Sequence, residues 1–139
     1  MNKKIIKIAL LTGVIVFIFL KYLSLFVDNT HIRKNSIEYF VLVPAIVKEL
    51  PIEQWGKLIR YHHSNVDGTQ SALNGVVFSV KQYPNKTLDK IKKYFISKQF
   101  KMIEERSQGL DLKNNVQSVS VHYFYDEKTG FYTIEIMFF

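Results

Sequence analysis

His62-His63, with a carboxylate following at Asp67, is the stretch of this sequence closest to metal-ligating chemistry, because imidazole and carboxylate both bind transition metals. If the segment is a strand, neighbouring side chains point to opposite faces and the two histidines diverge. A third ligand such as His122 would then have to arrive from another strand. Ser120 and His122 stand two apart, on one face of an expected strand, so a Ser–His nucleophilic pair can be drawn. No elbow motif surrounds Ser120, and no acidic residue beside the pair is placed to orient the imidazole. Glu104-Glu105 and Asp126-Glu127 offer carboxylate pairs for acid–base work. The first pair alternates across a strand, and the second sits in a turn, where such residues serve solubility and local hydrogen bonding. The chain contains no GxGxxG, Walker, HExxH, GxSxG or EF-hand motif. The expectation is a non-enzymatic protein without metal or cofactor. A metal-dependent or hydrolytic enzyme using His62, His63, Asp67 and His122 is the alternative.

These residues need a scaffold, and the pattern supplies one. Lys57 to His63 reads as a strand, and the polar stretch through Asp67-Gly68 as a hairpin-type loop. Gly75 to Gln82 reads as a second strand, with Val76, Phe78 and Val80 on one face. Thr87 is the expected N-cap of a helix ending near Lys98 to Gln99, with Asp89 in its first turn and Leu88, Ile91 and Phe95 in its apolar stripe. Three more strands follow: Phe100 to Glu105, Val116 to Tyr125 and Phe131 to Phe139, the last two joined by a turn at Gly130. RSQGLDLKNN reads as a loop. The expected fold class is α+β, a small, mainly antiparallel sheet in the order β-β-α-β-β-β with one helix on a face.

The chain has 139 residues and no cysteine, which excludes disulfides, thiolate metal sites, a cysteine nucleophile and a lipid carried on cysteine. Its formal charge is +7, but Lys3, Lys4, Lys7 and Lys21 belong to the N-terminal segment. From Asn29 onward there are 15 basic and 11 acidic residues, an ordinary balance with no concentrated patch for nucleic acid.

Residues 8 to 27, IALLTGVIVFIFLKYLSLFV, read as a membrane span. The core Ile8 to Leu20 is short for a bilayer, but continuation through Tyr22 to Val27 reaches the length required. Lys21 is tolerated near one end if its ammonium extends to the headgroups, with Tyr22 at the same interfacial level. No A-x-A-like cleavage site follows, so an uncleaved anchor is expected. Lys3, Lys4 and Lys7 keep the N-terminus cytoplasmic and place the remainder outside the cytoplasmic membrane.

The expected organisation is a signal-anchor helix over 1–28, a juxtamembrane linker or stalk over 29–50, and an extracytoplasmic α+β domain over 51–139. In the stalk, Ser36 opens a short segment that Pro44 divides. If the helix covers one face of the sheet, the stalk is expected on the other. The arrangement over 51–139 resembles small exported bacterial domains tethered by a lipid or a helix, a likeness of architecture that carries no functional residues with it. The function expected is binding of another protein, as an envelope accessory or immunity-type protein of a bacterial cell. Lys90, Lys92, Lys93, Phe131, Met137 and Phe139 are the candidate partner surface. A lipid- or cell-wall-binding module is the remaining alternative.

Overall fold

The computed structural model describes residues 3–24, 29–64 and 73–139. After the N-terminal helix α1 (Lys3–Ser24), the chain runs through β1 (Asn29–Ile32), α2 (Ile37–Leu42), α3 (Ala45–Lys48), a short 3-10 turn (Ile52–Gln54) and β2 (Lys57–Ser64). Then come β3 (Leu73–Val80), α4 (Asn85–Ser97), β4 (Lys101–Arg106), β5 (Gly109–Lys113), β6 (Ser118–Asp126) and β7 (Phe131–Phe138). All seven strands join one antiparallel sheet in the order β1-β2-β3-β7-β6-β5-β4. Two meanders, β1-β2-β3 and β4-β5-β6-β7, meet where β7 pairs with β3. α4 carries the chain from the middle of the sheet to its far edge.

The α+β class and the helix-bearing sheet agree with the sequence. Two strands exceed expectation. β5 lies in the segment read as a loop, where Leu110 and Leu112 alternate inward, nearly fully buried, around Asp111. β1 lies in the expected linker and pairs with β2, with Ile32 opposite Tyr61.

One face of the sheet carries the core. Val76, Phe78, Val80, Leu110, Val119, Val121, Ile134, Ile136 and Phe138 are all buried there. Ile91 and Phe95 of α4 pack down on them, with the Phe95 ring 5.9 Å from Phe138. The helix begins at Asn85 with Pro84 at the cap position, so Thr87 lies inside the first turn and is not the N-cap. It ends in a Schellman motif. Gln99 takes φ 66°, and the Phe100 and Gln99 amides donate to the Phe95 and Ile96 carbonyls at 3.0 Å each. The Phe100 ring then packs 5.1 Å from Phe95, the hydrophobic contact that accompanies such an ending.

The 29–50 segment is built onto this same face. Ser36 caps α2 by accepting from the Tyr39 amide at 3.1 Å, and Val43, preceding Pro44, takes the extended conformation that ends α2. Tyr39, Val43, Val47 and Leu50 are all buried. The Tyr39 ring meets Tyr61 at 4.8 Å, and the Tyr94 hydroxyl of α4 reaches the Glu49 carbonyl at 3.4 Å. α2, α3 and α4 therefore form one helical layer. The expectation that the stalk covers the second face is corrected: that face carries no helix among the described residues.

The described side chains of α1 form no buried stripe. Leu10, Leu11 and every residue from Val14 to Leu20 are between 49% and 65% exposed. Among the described residues no helix is long and apolar enough to cross a membrane. The uncharged stretch of α1 from Ile8 to Leu20 measures only about 20 Å, against a hydrocarbon core of about 30 Å. The expected transmembrane span is thus unsupported. Ile8, Leu20, Lys21 and Tyr22 fall within α1, whereas Val27 lies outside the described residues.

Candidate functional site

The uncovered face of the sheet gathers most of the residues singled out above. Register dictates which. Tyr61 faces the core opposite Val76, so His62 must face outward opposite Gly75, and His63 must face inward opposite Asn74. His63 Nδ1 lies 2.7 Å from the Asn74 side-chain oxygen. The adjacent histidines diverge, as the alternation of a strand requires. Asp67 lies outside the described residues.

His122 shares the outer face with His62, but β3 and β7 intervene, so their strands lie three spacings apart, about 14 Å, and the two residues are also offset along them. No cluster of three potential metal ligands occurs among the described residues. Glu135 stands between them, opposite His122 in register and with Oε1 3.9 Å from His62 Nε2. Two glycines make room for the rings. A Cβ on Gly75 would lie 2.1 Å from His62 Nε2, and one on Gly109 would lie 3.1 Å from His122 Nδ1. His62 is nearly enclosed, with a side chain 13% exposed and an Nε2 that makes no hydrogen bond among the described residues. Burial lowers its pKa, and the nearby Glu135 opposes that shift more weakly.

On the β4–β5–β6 side, an unbroken polar chain crosses the face. Arg106 Nη2 contacts Glu104 Oε2 at 2.8 Å and Asp111 Oδ2 at 2.6 Å. Ser120 Oγ donates to Asp111 Oδ1 at 2.5 Å and lies 2.8 Å from His122 Nε2. The Ser120–His122 pair drawn from spacing is therefore in contact, with an acid present as well. The acid is on the wrong atom. The single serine proton goes to Asp111, so Nε2 of His122 must be the donor to Ser120 and cannot act as its base. Asp111, Arg106 and Glu135 were not legible as partners, although the Leu110–Leu112 alternation already puts Asp111 opposite the core.

Three of the four carboxylates in the two pairs have structural partners. Glu104 faces outward to Arg106, which holds its carboxyl below the usual range, whereas Glu105 faces the helical layer and pairs with Lys92 at 2.8 Å. Asp126 closes the β6–β7 turn by accepting from the Lys128 amide at 3.0 Å, and hydrogen bonds from Thr129 and Lys128 lower its pKa. Comparison of the chain with protein-family models, curated proteins and solved structures finds no match.

The residues of the candidate partner surface do not form one patch. Lys90, Lys92 and Lys93 belong to α4, on the helical side. Met137 and Phe139 belong to the outer face, where Phe139 is 51% exposed beside half-buried Met137. Phe131 lies at the other end of β7, on the wall of a groove of about 580 Å³. This groove opens where β2 begins, β3 ends and α4 begins, and sequence reasoning missed it. Trp55, Leu58 and Tyr83 line it with Phe131, and Lys57, Lys81 and Lys86 surround them. The interleaving of lysine with aromatic and aliphatic residues at 55–58 and 81–86 was the available signal.

Proposed function

We propose that this chain is a membrane-tethered, non-catalytic binding protein of a bacterial cell envelope, with its folded domain outside the cytoplasmic membrane. The observation that carries this reading is α1. Seven consecutive apolar residues, Val14 to Leu20, cover every side of a helix and all stand exposed. Such a surface is stable only in an apolar surrounding. In this reading α1 is the tether, and the lysines at 3, 4 and 7 hold the N-terminus inside.

Binding, not turnover, fits the outer face. Ser120, His122, Asp111, Arg106 and Glu104 are committed to one another, while Phe124, half exposed, and Phe139 stand at its margins. Another protein docking on this helix-free face is the partner we favour, in an envelope-assembly or immunity-type role. Carbonate extraction of membranes, with protease added outside spheroplasts, tests the tether. Retention in the membrane with external loss of the domain is expected. A mature chain beginning near residue 25 and released to solution would overturn it. Crosslinking from outer-face positions 124 and 139 tests the docking face. Partner adducts from those positions, absent from position 90 on α4, are the expected result.

A further inference from the structure

The groove beside Trp55 has the properties of a ligand site. Its volume lies within the range of small-molecule pockets, and its walls are chiefly apolar with a few polar groups at the rim. We propose that it binds an anionic amphiphile, an acyl chain or comparable apolar body ending in a phosphate or carboxylate. The proposal is independent of the docking face, and its test in vesicles uses the tether proposed above.

Charge comes first. Lys57, Lys81 and Lys86 surround the groove, no acidic residue lines it, and none of the three makes an ion pair among the described residues. Other lysines behave differently: Lys34 is paired with Glu53 and Lys92 with Glu105. Three unneutralised ammonium groups around one apolar groove favour an anionic end on whatever enters it. The adjoining start of α4 adds to this field. Its first turn, which includes the groove residues Lys86 and Thr87, has no acidic residue and no side-chain cap to offset the positive end of the helix.

The apolar wall is preorganised. Tyr123 donates its hydroxyl hydrogen to the Ser107 carbonyl at 2.8 Å, so the Tyr83 hydroxyl, 2.9 Å from Tyr123, must be the donor between them. That bond and edge-on contact with Tyr132 at 5.4 Å fix the Tyr83 ring at the groove. Trp55 is fixed against Tyr94 at 5.5 Å. Leu58 supplies the third wall from an unfavourable backbone. It takes φ 54° within the bulge between Lys57 and Arg60, and it holds its side chain 67% exposed. A non-glycine residue in this conformation with an exposed apolar side chain gains nothing for folding, which fits a contact made to a ligand.

Trp55 is the chain's only tryptophan and so reports on the groove. The full chain, reconstituted in phosphatidylcholine vesicles, is titrated below micellar concentrations with octyl phosphate, octyl glucoside or inorganic phosphate. Octyl phosphate should shift Trp55 emission saturably, with little response to the other two. Lys57→Gln/Lys81→Gln/Lys86→Gln should weaken the octyl phosphate response about tenfold or more, because charged-group contacts are lost. Partition into the vesicles is the same for this variant, so the difference reads the groove alone. Leu58→Gly should weaken the response while leaving the thermal midpoint unchanged or higher, since the backbone strain is relieved. An equal response to octyl glucoside, or undiminished affinity in the triple-lysine variant, would overturn the proposal. A response to inorganic phosphate as strong as to octyl phosphate would also overturn it, by removing the role of the apolar wall.

Discussion

Ser120 gives its proton to Asp111, 2.5 Å away, although His122 stands at nearly the same distance on its other side. This ordering separates a polar network from a catalytic one. In a nucleophilic pair the imidazole accepts from the serine and the acid orients the imidazole. Here the acid holds the serine and is itself held by Arg106. Ser120→Ala, which removes one hydrogen bond to the Asp111 carboxylate and one from His122, should therefore cost about 1–3 kcal/mol in urea unfolding. The wild-type chain should not be labelled by a fluorophosphonate. Labelling that His122→Ala abolishes would reinstate the nucleophile.

His62 should make the fold acid-sensitive. Its folded pKa is lowered, chiefly by burial, so the unfolded chain binds a proton at this site more readily than the native one. The resulting stability is fully present above the unfolded pKa of about 6.5 and is lost as pH falls through the depressed folded value. The urea midpoint should fall between about pH 7.5 and pH 5. His62→Gln should flatten that part of the profile. If the imidazole instead titrates by NMR above its unfolded value, Glu135 governs the site and the sign reverses.

The close approach at Gly109 gives a prediction about stability. A Cβ there would lie 2.2 Å from the Val121 carbonyl oxygen, and backbone cannot swing aside as a side chain can. Gly109→Ala should lower stability by about 2–3 kcal/mol, as overpacking does, and should loosen the β5–β6 pairing. Hydrogen exchange of the β5 amides is the direct measurement. Unchanged protection in the variant would show that the strands can part without cost.

Local signals in the sequence carried the strands with strong alternation and the end of α4, because Val76-Phe78-Val80 and Ile134-Ile136-Phe138 declare their buried face residue by residue. β5 escaped because it is five residues long, begins at a glycine and carries Asp111 and Lys113. Its pattern of Leu110 and Leu112 was too short to outweigh the surrounding turn formers. The outer-face network was less legible still. Asp111 meets Ser120, and Glu135 comes opposite His122, only through the register of three strands, and register is a non-local property. The side of the sheet taken by α2 and α3 was equally hidden, since an apolar segment states that it is buried but not against what.

The segment before residue 51 supplies the last test, because its placement changes what the domain needs in order to fold. Val43, Val47 and Leu50 are buried on the sheet's helical face, and Tyr39 joins them against Tyr61. At about 1.5 kcal/mol or more each, these side chains contribute roughly 6 kcal/mol of burial. That is comparable to the whole stability of a typical domain, about 5–15 kcal/mol. Removing the segment also strips β1 from the edge of β2 and uncovers Tyr61. A chain beginning at residue 51 should therefore be unfolded or bind a hydrophobic dye at 25 °C, whereas one beginning at residue 29 should unfold cooperatively in urea. Within the longer chain, Val47→Ala should cost about 1–3 kcal/mol, and Phe40→Ala, at an exposed position on the same helix as Tyr39, should cost little. Equal cooperativity of the two truncated chains would reduce residues 29–50 to a linker laid on a domain complete without it.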